Sequence, residues 1–397
     1  MASSAETRYE VRTRQCIHRL LVRILKSSDS YEQHKQLVYK PFLNIQLELL
    51  KQITRTESDI RTQKKSQNQT MLEKARYRRQ LLKVLGSTVA WVLLEYDRPY
   101  IRAFSRNLES GFVSGKEGLS LEVLALRASF NEPNSAGVLH DITNCLRIGD
   151  LSFVSPNHPI QTIELKVVKS DRKMGGKDHR QYARGRDVRD YYETGMSTKV
   201  LPGWKTIRHI AKERDRHNWR QLCLLIRKAQ KKGIAIARIE KCLTYCVFKT
   251  NVTDDVLLRA QKTILSRAAK RTDVMSGVLT QQFDIPTILP LTCFDLPLKY
   301  KEQELFGDIG VSVFVDLRRL AEIFTRHGFP SKITRDRRIG LMKSKIRGLR
   351  QPVIMKEGLL SRLLYELTSV GSLIGYMRTL GQTAKNDMVL DNESQLS

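Results

Sequence analysis

The chain has 397 residues, 41% of them hydrophobic, and carries 69 Lys and Arg against 41 Asp and Glu for a formal net charge of +28. That apolar fraction is enough for a real core, and the length allows two domains or one core with helical additions. The charge lies far from that of an average soluble enzyme and points to a polyanionic partner, while the lack of an apolar signal core in MASSAETRYEVRTR and of any run of about eighteen apolar residues argues against secretion and a membrane span.

In chain order, residues 1–98 are expected to be helical. Cys16 to Lys26 is amphipathic, Glu32 to Thr54 repeats apolar residues at helical spacing, and Glu73 to Tyr96 begins basic and ends apolar. Thr56 to Thr70 is polar and is expected to be a link. The region is expected to support the sheet that follows, or to serve as an arm for a partner. Trp91, flanked by Val89, Val92, Leu93 and Leu94, is expected in the core rather than as a base-stacking platform.

Residues 99–250 are expected to form an α/β core. Leu119 to Phe130 is its first helix, with Glu122 and, less favoured, Glu117 as candidate acidic groups. Leu146 to Val154 is an apolar strand with one carboxylate, Asp150. It stops at the turn formers Ser155, Pro156, Asn157 and His158, and Ile160 to Val168 follows as a second strand. Side chains alternate along a strand, so Glu164 and Lys166 share one face and Ile163, Leu165 and Val167 the other. If the two runs pair as a hairpin, Asp150 meets Glu164 near one edge. Two adjacent carboxylates repel unless a cation compensates them, and a hard divalent ion such as Mg²⁺ is the natural occupant.

Next comes His179 to Glu193, a helix ended by Gly195, with Gln181 and Arg184 three apart on one face. Between Lys166 and Arg189 nine Lys or Arg stand against three Asp. Within that run Lys169, Lys173, Lys177, Arg180, Arg184 and Arg186 are the candidates for neutralising phosphates. Asn218 to Lys232 is a further helix, capped by Asn218 and closed by Gly233, and Ile234 to Thr250 can add strands to the same sheet.

Residues 251–397 are expected to be a basic α+β region. A helix spans Val256 to Arg271, a strand Val311 to Val315, and a helix Leu317 to His327 that Gly328-Phe329-Pro330 breaks. The remainder to Leu380 is expected to be helical with an extended piece near Pro352 to Met355. The six cysteines form no Cys-x-x-Cys pair, so a zinc site is not expected and the thiols are taken as reduced. A phosphate loop of the Gly-x-x-x-x-Gly-Lys-Ser/Thr type is absent as well.

The set Gly149-Asp150, then Glu164-Leu165-Lys166, resembles the PD-(D/E)XK signature of restriction-endonuclease-like nucleases. The resemblance covers about residues 117–250, and Gly149 stands where that family often has proline. It implies a restriction-endonuclease-like mixed sheet flanked by helices. It further implies a metal, Mg²⁺ with Mn²⁺ as substitute, held by Asp150, Glu164 and the carbonyl of Leu165. Lys166 would orient or activate the attacking water, Gln181 or Arg184 would stand by the scissile phosphate, and Glu122 would add an acidic group from the preceding helix. The expected protein is then a cytoplasmic Mg²⁺-dependent nuclease acting on DNA rather than RNA, with prokaryotic defence against phage or foreign DNA as one setting. Its further partner would be a second copy or an accessory subunit. The alternative from another class is a non-catalytic nucleic-acid-binding or regulatory subunit that keeps the fold.

Overall fold

The computed structural model describes residues 4–33, 39–105, 111–132, 134–155, 158–165, 186–187, 196–197, 206–207, 216–268, 273–279, 285, 287–333, 339–341, 353–355 and 357–379. The chain divides into two compact units, residues 1–210 and 211–397. Helices and sheets occur in both units. Among the described residues no helix is long and apolar enough to cross a membrane.

Three long helices open the first unit: α1 (Ser4–Gln33), α2 (Lys40–Lys65) and α3 (Gln69–Leu93). Pro41 starts α2, where a missing backbone N–H costs nothing. The helix then buries Phe42, Ile45, Leu49, Ile53, Thr56, Glu57 and Ile60, a stripe at intervals of three and four. The link expected over Thr56 to Thr70 is therefore corrected: its first ten residues continue α2. The polar composition misleads because Glu57 is buried with partners of its own. Asn68 turns the chain and accepts from Met71 N at 3.1 Å to cap α3. From Leu81 onward every residue of α3 is buried, Trp91 included, so this helix is central to the unit. At Gly86 an added Cβ would lie 2.0 Å from Ile142 O, so only glycine lets α3 approach the turn after the first strand this closely.

Two shorter helices follow, α4 (Arg98–Phe104) and α5 (Leu119–Ser129), and then the strands β1 (Ala136–Leu139), β2 (Leu151–Ser155) and β3 (His158–Ile163). They form an antiparallel sheet in the order β1-β2-β3, and β2 and β3 make the expected hairpin, with Leu151 opposite Ile163 and Ser152 opposite Thr162. Both strands are shorter than expected. Leu146 and Ile148 are buried but precede β2 because Gly149 takes φ +75, which breaks the extended run. Every pairing among the described strands is antiparallel. A two-stranded ribbon, β4 (Met196–Ser197) with β5 (Thr206–Ile207), completes the described strands of this unit.

The open edge of β1 is closed by a side chain. Gln46 on α2, fully buried, donates from Nε2 to Gly137 O (2.8 Å) and accepts at Oε1 from Leu139 N (2.9 Å). One amide thus acts as a strand for two backbone groups that would otherwise be buried unpaired.

The second unit contains α6 (Trp219–Lys232), β6 (Ile234–Glu240), β7 (Leu243–Lys249), α7 (Asp254–Ser266), β8 (Val274–Val278), α8 (Leu298–Leu305), β9 (Ile309–Asp316) and α9 (Leu317–Arg326). Its main sheet is antiparallel in the order β6-β7-β9-β8. The strands read from Ile234 to Thr250 are present, but they pair here and not with the first sheet, because β7 is hydrogen-bonded along its length to β9. Asn218 stands at the start of α6 without capping it, and its Nδ2 donates to Glu240 Oε1 at 2.9 Å. A small sheet joins β10 (Ser331–Ile333), β11 (Ile339–Leu341) and β12 (Val353–Met355); β11 stands where helix was expected, and β12 falls on the extended piece expected near Pro352 to Met355. The helix α10 (Glu357–Tyr365) and a helix over residues 370–379 close the unit. The described cysteines are free thiols.

Replacing Gln46 by Leu keeps the side chain's bulk and orphans Gly137 O and Leu139 N. Unfolding in urea followed by circular dichroism is expected to show a loss of about 2–4 kcal/mol; a loss below about 0.5 kcal/mol would mean that the edge of β1 does not depend on this amide.

Candidate active site

Two members of the predicted constellation, Asp150 and the Leu165 backbone, meet at the open end of the hairpin. The paired register ends at Leu151 opposite Ile163, and Asp150 and Glu164 are the next residue along each chain segment. Backbone geometry fixes Asp150 from two sides: its N–H donates to Ile163 O (2.9 Å), and its Oδ2 accepts from Leu165 N (2.7 Å). Gly149 makes this approach possible. A Cβ there would lie 2.5 Å from Thr162 Cγ2, and proline, whose φ is held near −65°, cannot take the observed φ of +75.

Beneath Asp150 a polar network locks the hairpin. Ser152 Oγ lies 2.6 Å from His140 Nε2, 2.8 Å from Tyr100 Oη and 3.1 Å from Thr162 Oγ1. On its other side the His140 ring meets Gly149 O through Nδ1 at 3.1 Å. A carbonyl can only accept, so Nδ1 carries the proton and Nε2 accepts from the Ser152 hydroxyl. Burial pushes the His140 imidazole down to about 4, against the opposing pull of Asp150 and Asp141. The ring is therefore neutral at physiological pH and holds Gly149, and through it Asp150, in place.

Glu122 comes from the first turn of α5 and is completely buried. It meets Asp150 through a residue the sequence did not single out: Lys116. The Lys116 ammonium lies 2.7 Å from Glu122 Oε1, 2.9 Å from Asp141 Oδ2 and 2.8 Å from Asp150 Oδ1. Burial pulls the ammonium's pKa down, but Asp141, Asp150 and Glu122 together outweigh it and the pKa is raised. Burial likewise raises the Glu122 carboxyl to about 7. The charges of Asp150 and Asp141 add to that rise, and Lys116 opposes it. Among the described residues Glu122 Oε2, which is buried, has no hydrogen-bond partner. The Leu165 carbonyl oxygen and Glu122 Oε1 both lie near Gly118, 3.9 and 3.6 Å from where a Cβ on it would stand.

The segment that delivers Lys116 is held by the helical layer. Glu57 on α2 is fully buried. Its Oε1 accepts from Arg79 Nε (2.8 Å), and its Oε2 accepts from Val113 N (2.9 Å), Ser114 N (2.8 Å) and Ser114 Oγ (2.8 Å). Arg61 Nη2 donates to Ser114 O at 2.6 Å, and Arg79 Nη2 to Gly111 O at 2.6 Å. Phe112 lies between these two guanidinium groups, 5.4 and 5.1 Å from its ring centre.

Of the residues singled out in the sequence, the structure brings together Asp150, Glu122 and the Leu165 backbone. Glu164 is half-buried next to Leu165. Glu117 is exposed and Glu122 is buried. Arg186 is exposed. Lys166, Lys169, Lys173, Lys177, Arg180, Gln181 and Arg184 lie outside the described residues. Sequence reasoning missed Lys116, Asp141, His140 and Glu57. Lys116 and Asp141 sit in a loop and a turn with no periodicity, and only the glycines around Lys116 mark its segment as a turn.

Among the described residues no three His, Cys, Asp or Glu side chains are grouped as metal ligands. The three carboxylates gather instead about Lys116, at distances typical of charge-assisted hydrogen bonds and longer than the roughly 2.0–2.1 Å of Mg²⁺ to oxygen. No protein-family model, curated protein or solved structure matches the chain.

His140 sets a pH dependence. Its folded pKa of about 4 lies below the ordinary 6.5, so its contribution to stability is complete above pH 6.5 and is lost as pH falls toward 4. Thermal unfolding of the parent is expected to lose on the order of 2–3 kcal/mol of stability over that interval through this group. His140→Gln should show a shallower decline over the same interval; parallel pH profiles for the two proteins would refute the assignment.

Proposed function

We propose that the first unit is a metal-dependent nuclease that hydrolyses phosphodiester bonds, with DNA as its preferred substrate and defence against foreign DNA as one setting. The observation that carries this reading is the meeting of Asp150, Glu122 and the Leu165 backbone at the open end of the hairpin. These residues lie 15 and 28 positions from Asp150 in sequence, and they supply the acidic and carbonyl oxygens that the resemblance to PD-(D/E)XK nucleases calls for.

The donor set fits a hard cation. It is made of carboxylate and carbonyl oxygens only, and one of them, the buried Glu122 Oε2, has no partner among the described residues. Asp150, Glu164 and the Leu165 carbonyl would hold Mg²⁺ or Mn²⁺, with Glu122 as an added acidic group. When bound, the metal lowers the pKa of a water and stabilises charge on a phosphoryl oxygen. Glu122, with its carboxyl near 7, holds or releases a proton at Oε2 around neutral pH, which suits a general acid or base. Leu165 N keeps Asp150 Oδ2 fixed, and His140 with Ser152 keeps the hairpin from shifting beneath it. The resemblance would have Lys166 orient the attacking water and Gln181 or Arg184 attend the scissile phosphate.

One observation favours a second reading. The Lys116 ammonium already balances the carboxylates, as it would in a structural ion-pair knot within a non-catalytic nucleic-acid-binding subunit.

Incubation with closed circular DNA, linear DNA and RNA in Mg²⁺, Mn²⁺ or EDTA separates the two. Metal-dependent cleavage by the parent is expected, reduced at least about a hundredfold in Asp150→Ala and Lys166→Ala; opening of circles would make it an endonuclease. No product on any substrate, or undiminished cleavage by both variants, would refute the assignment, and intact binding without product would establish the second reading.

A further inference from the structure

The second unit carries a groove unrelated to the acidic cluster. It lies among β6, β7, β9 and the C-terminal end of α7, and its charged lining residues are Arg238, Lys241, Arg267, Arg319 and Asp316. Four cations thus face one carboxylate, and that carboxylate is already engaged: Asp316 Oδ1 accepts from Arg319 N at 3.1 Å, and Oδ2 lies 3.4 Å from Arg319 Nε. Two of the guanidinium groups are drawn to the same atom. Arg267 O, at the end of α7, accepts from Arg319 Nη2 at 3.0 Å and from Arg238 Nη2 at 3.4 Å. Arg319 Nη1 also donates to Lys241 O at 3.4 Å, which ties the β6–β7 turn into the same cluster. Like charges gathered this closely repel each other, and a bound anion offsets that cost.

We propose that this groove binds the phosphodiester backbone of nucleic acid, as a contact separate from the acidic site. The cations are spread over β6, the turn after it, the end of α7 and the start of α9, and Arg238, Lys241 and Arg267 are exposed. A single small anion would call for buried donors converging on one point. Exposed cations supplied by several elements to one groove suit repeating phosphates, and such contacts position a strand without reading its sequence. Half-buried Phe314 and buried Ile264 give the groove apolar wall for sugars or bases. The identity of the ligand rests on nucleic acid being the partner of the proposed nuclease, whereas binding itself requires no catalysis.

The test is fluorescence anisotropy of the full chain with labelled duplex and single-stranded DNA in EDTA, from about 50 to 200 mM salt. The variant is Arg238→Gln, Lys241→Gln and Arg267→Gln together; an equal-charge control is Lys231→Gln, Lys232→Gln and Lys262→Gln, which lie outside the groove lining. Matching thermal unfolding verifies that both fold. The groove variant is expected to bind at least about tenfold more weakly, with a salt slope smaller by about two to three, and the control to stay within about twofold of the parent. Unchanged binding by the groove variant, equal losses in both variants, or no binding by the parent would overturn the proposal. Failure of the nuclease reading looks different: DNA binding would persist in the parent, and no condition would yield product.

Discussion

The Lys116 ammonium and the three carboxylates around it set the terms for the rest of the first unit. Glu122 comes from α5, Asp141 from the turn after β1, and Asp150 from the entry to β2. Three anions cannot be gathered at this spacing, one of them fully buried, without a cation among them. Each of the surrounding elements has to be in place for the balance to hold. Lys116 itself arrives on a segment clamped by Glu57 and Arg61 of α2 and by Arg79 of α3, so the helical layer governs the charge balance of the site. The buried Glu57 is the clearest sign of this coupling. Its desolvation is offset by Arg79 and by three donors from the segment it holds.

Below the cluster, the constraint is geometric. Gly149 must have a positive φ for Asp150 to reach both Ile163 O and Leu165 N, and neutral His140 braces that conformation from the inside. Tyr100 joins the network from α4, and Gln46 finishes the outer edge of the sheet from α2. A three-stranded sheet is thus held by polar contacts to helices on chain segments far from its own. The second unit is built on another sheet and presents its own basic groove, which divides the chemistry proposed for the acidic site from the backbone binding proposed for the groove.

The hairpin was legible in the sequence because apolar alternation and turn-forming residues both act locally, and the contact between Asp150 and the Leu165 backbone follows from that pairing. Glu122 could be chosen from the helix that bears it. Lys116 and Asp141 could not, because neither strand nor helix periodicity marks them and their meeting depends on contacts 25 and 34 residues apart. The reach of α2 was hidden by polar residues whose partners are distant in sequence. Ile234 to Thr250 was recognised as strand-forming, yet alternation says nothing about which sheet a strand joins. That was decided by its pairing with β9, more than sixty residues downstream.

A divalent ion and the Lys116 ammonium are alternative counterions for one set of oxygens, and the proposed function requires the ion to win. Manganese binding, followed by electron paramagnetic resonance on the metal-free protein and on Asp150→Asn, tests this directly. A nuclease site of the kind described here binds Mn²⁺ saturably in the parent, is displaced by Mg²⁺, and is lost in Asp150→Asn. A parent that takes up no Mn²⁺, or an Asp150→Asn variant that binds as the parent does, would contradict it and leave Lys116 as the cluster's permanent cation.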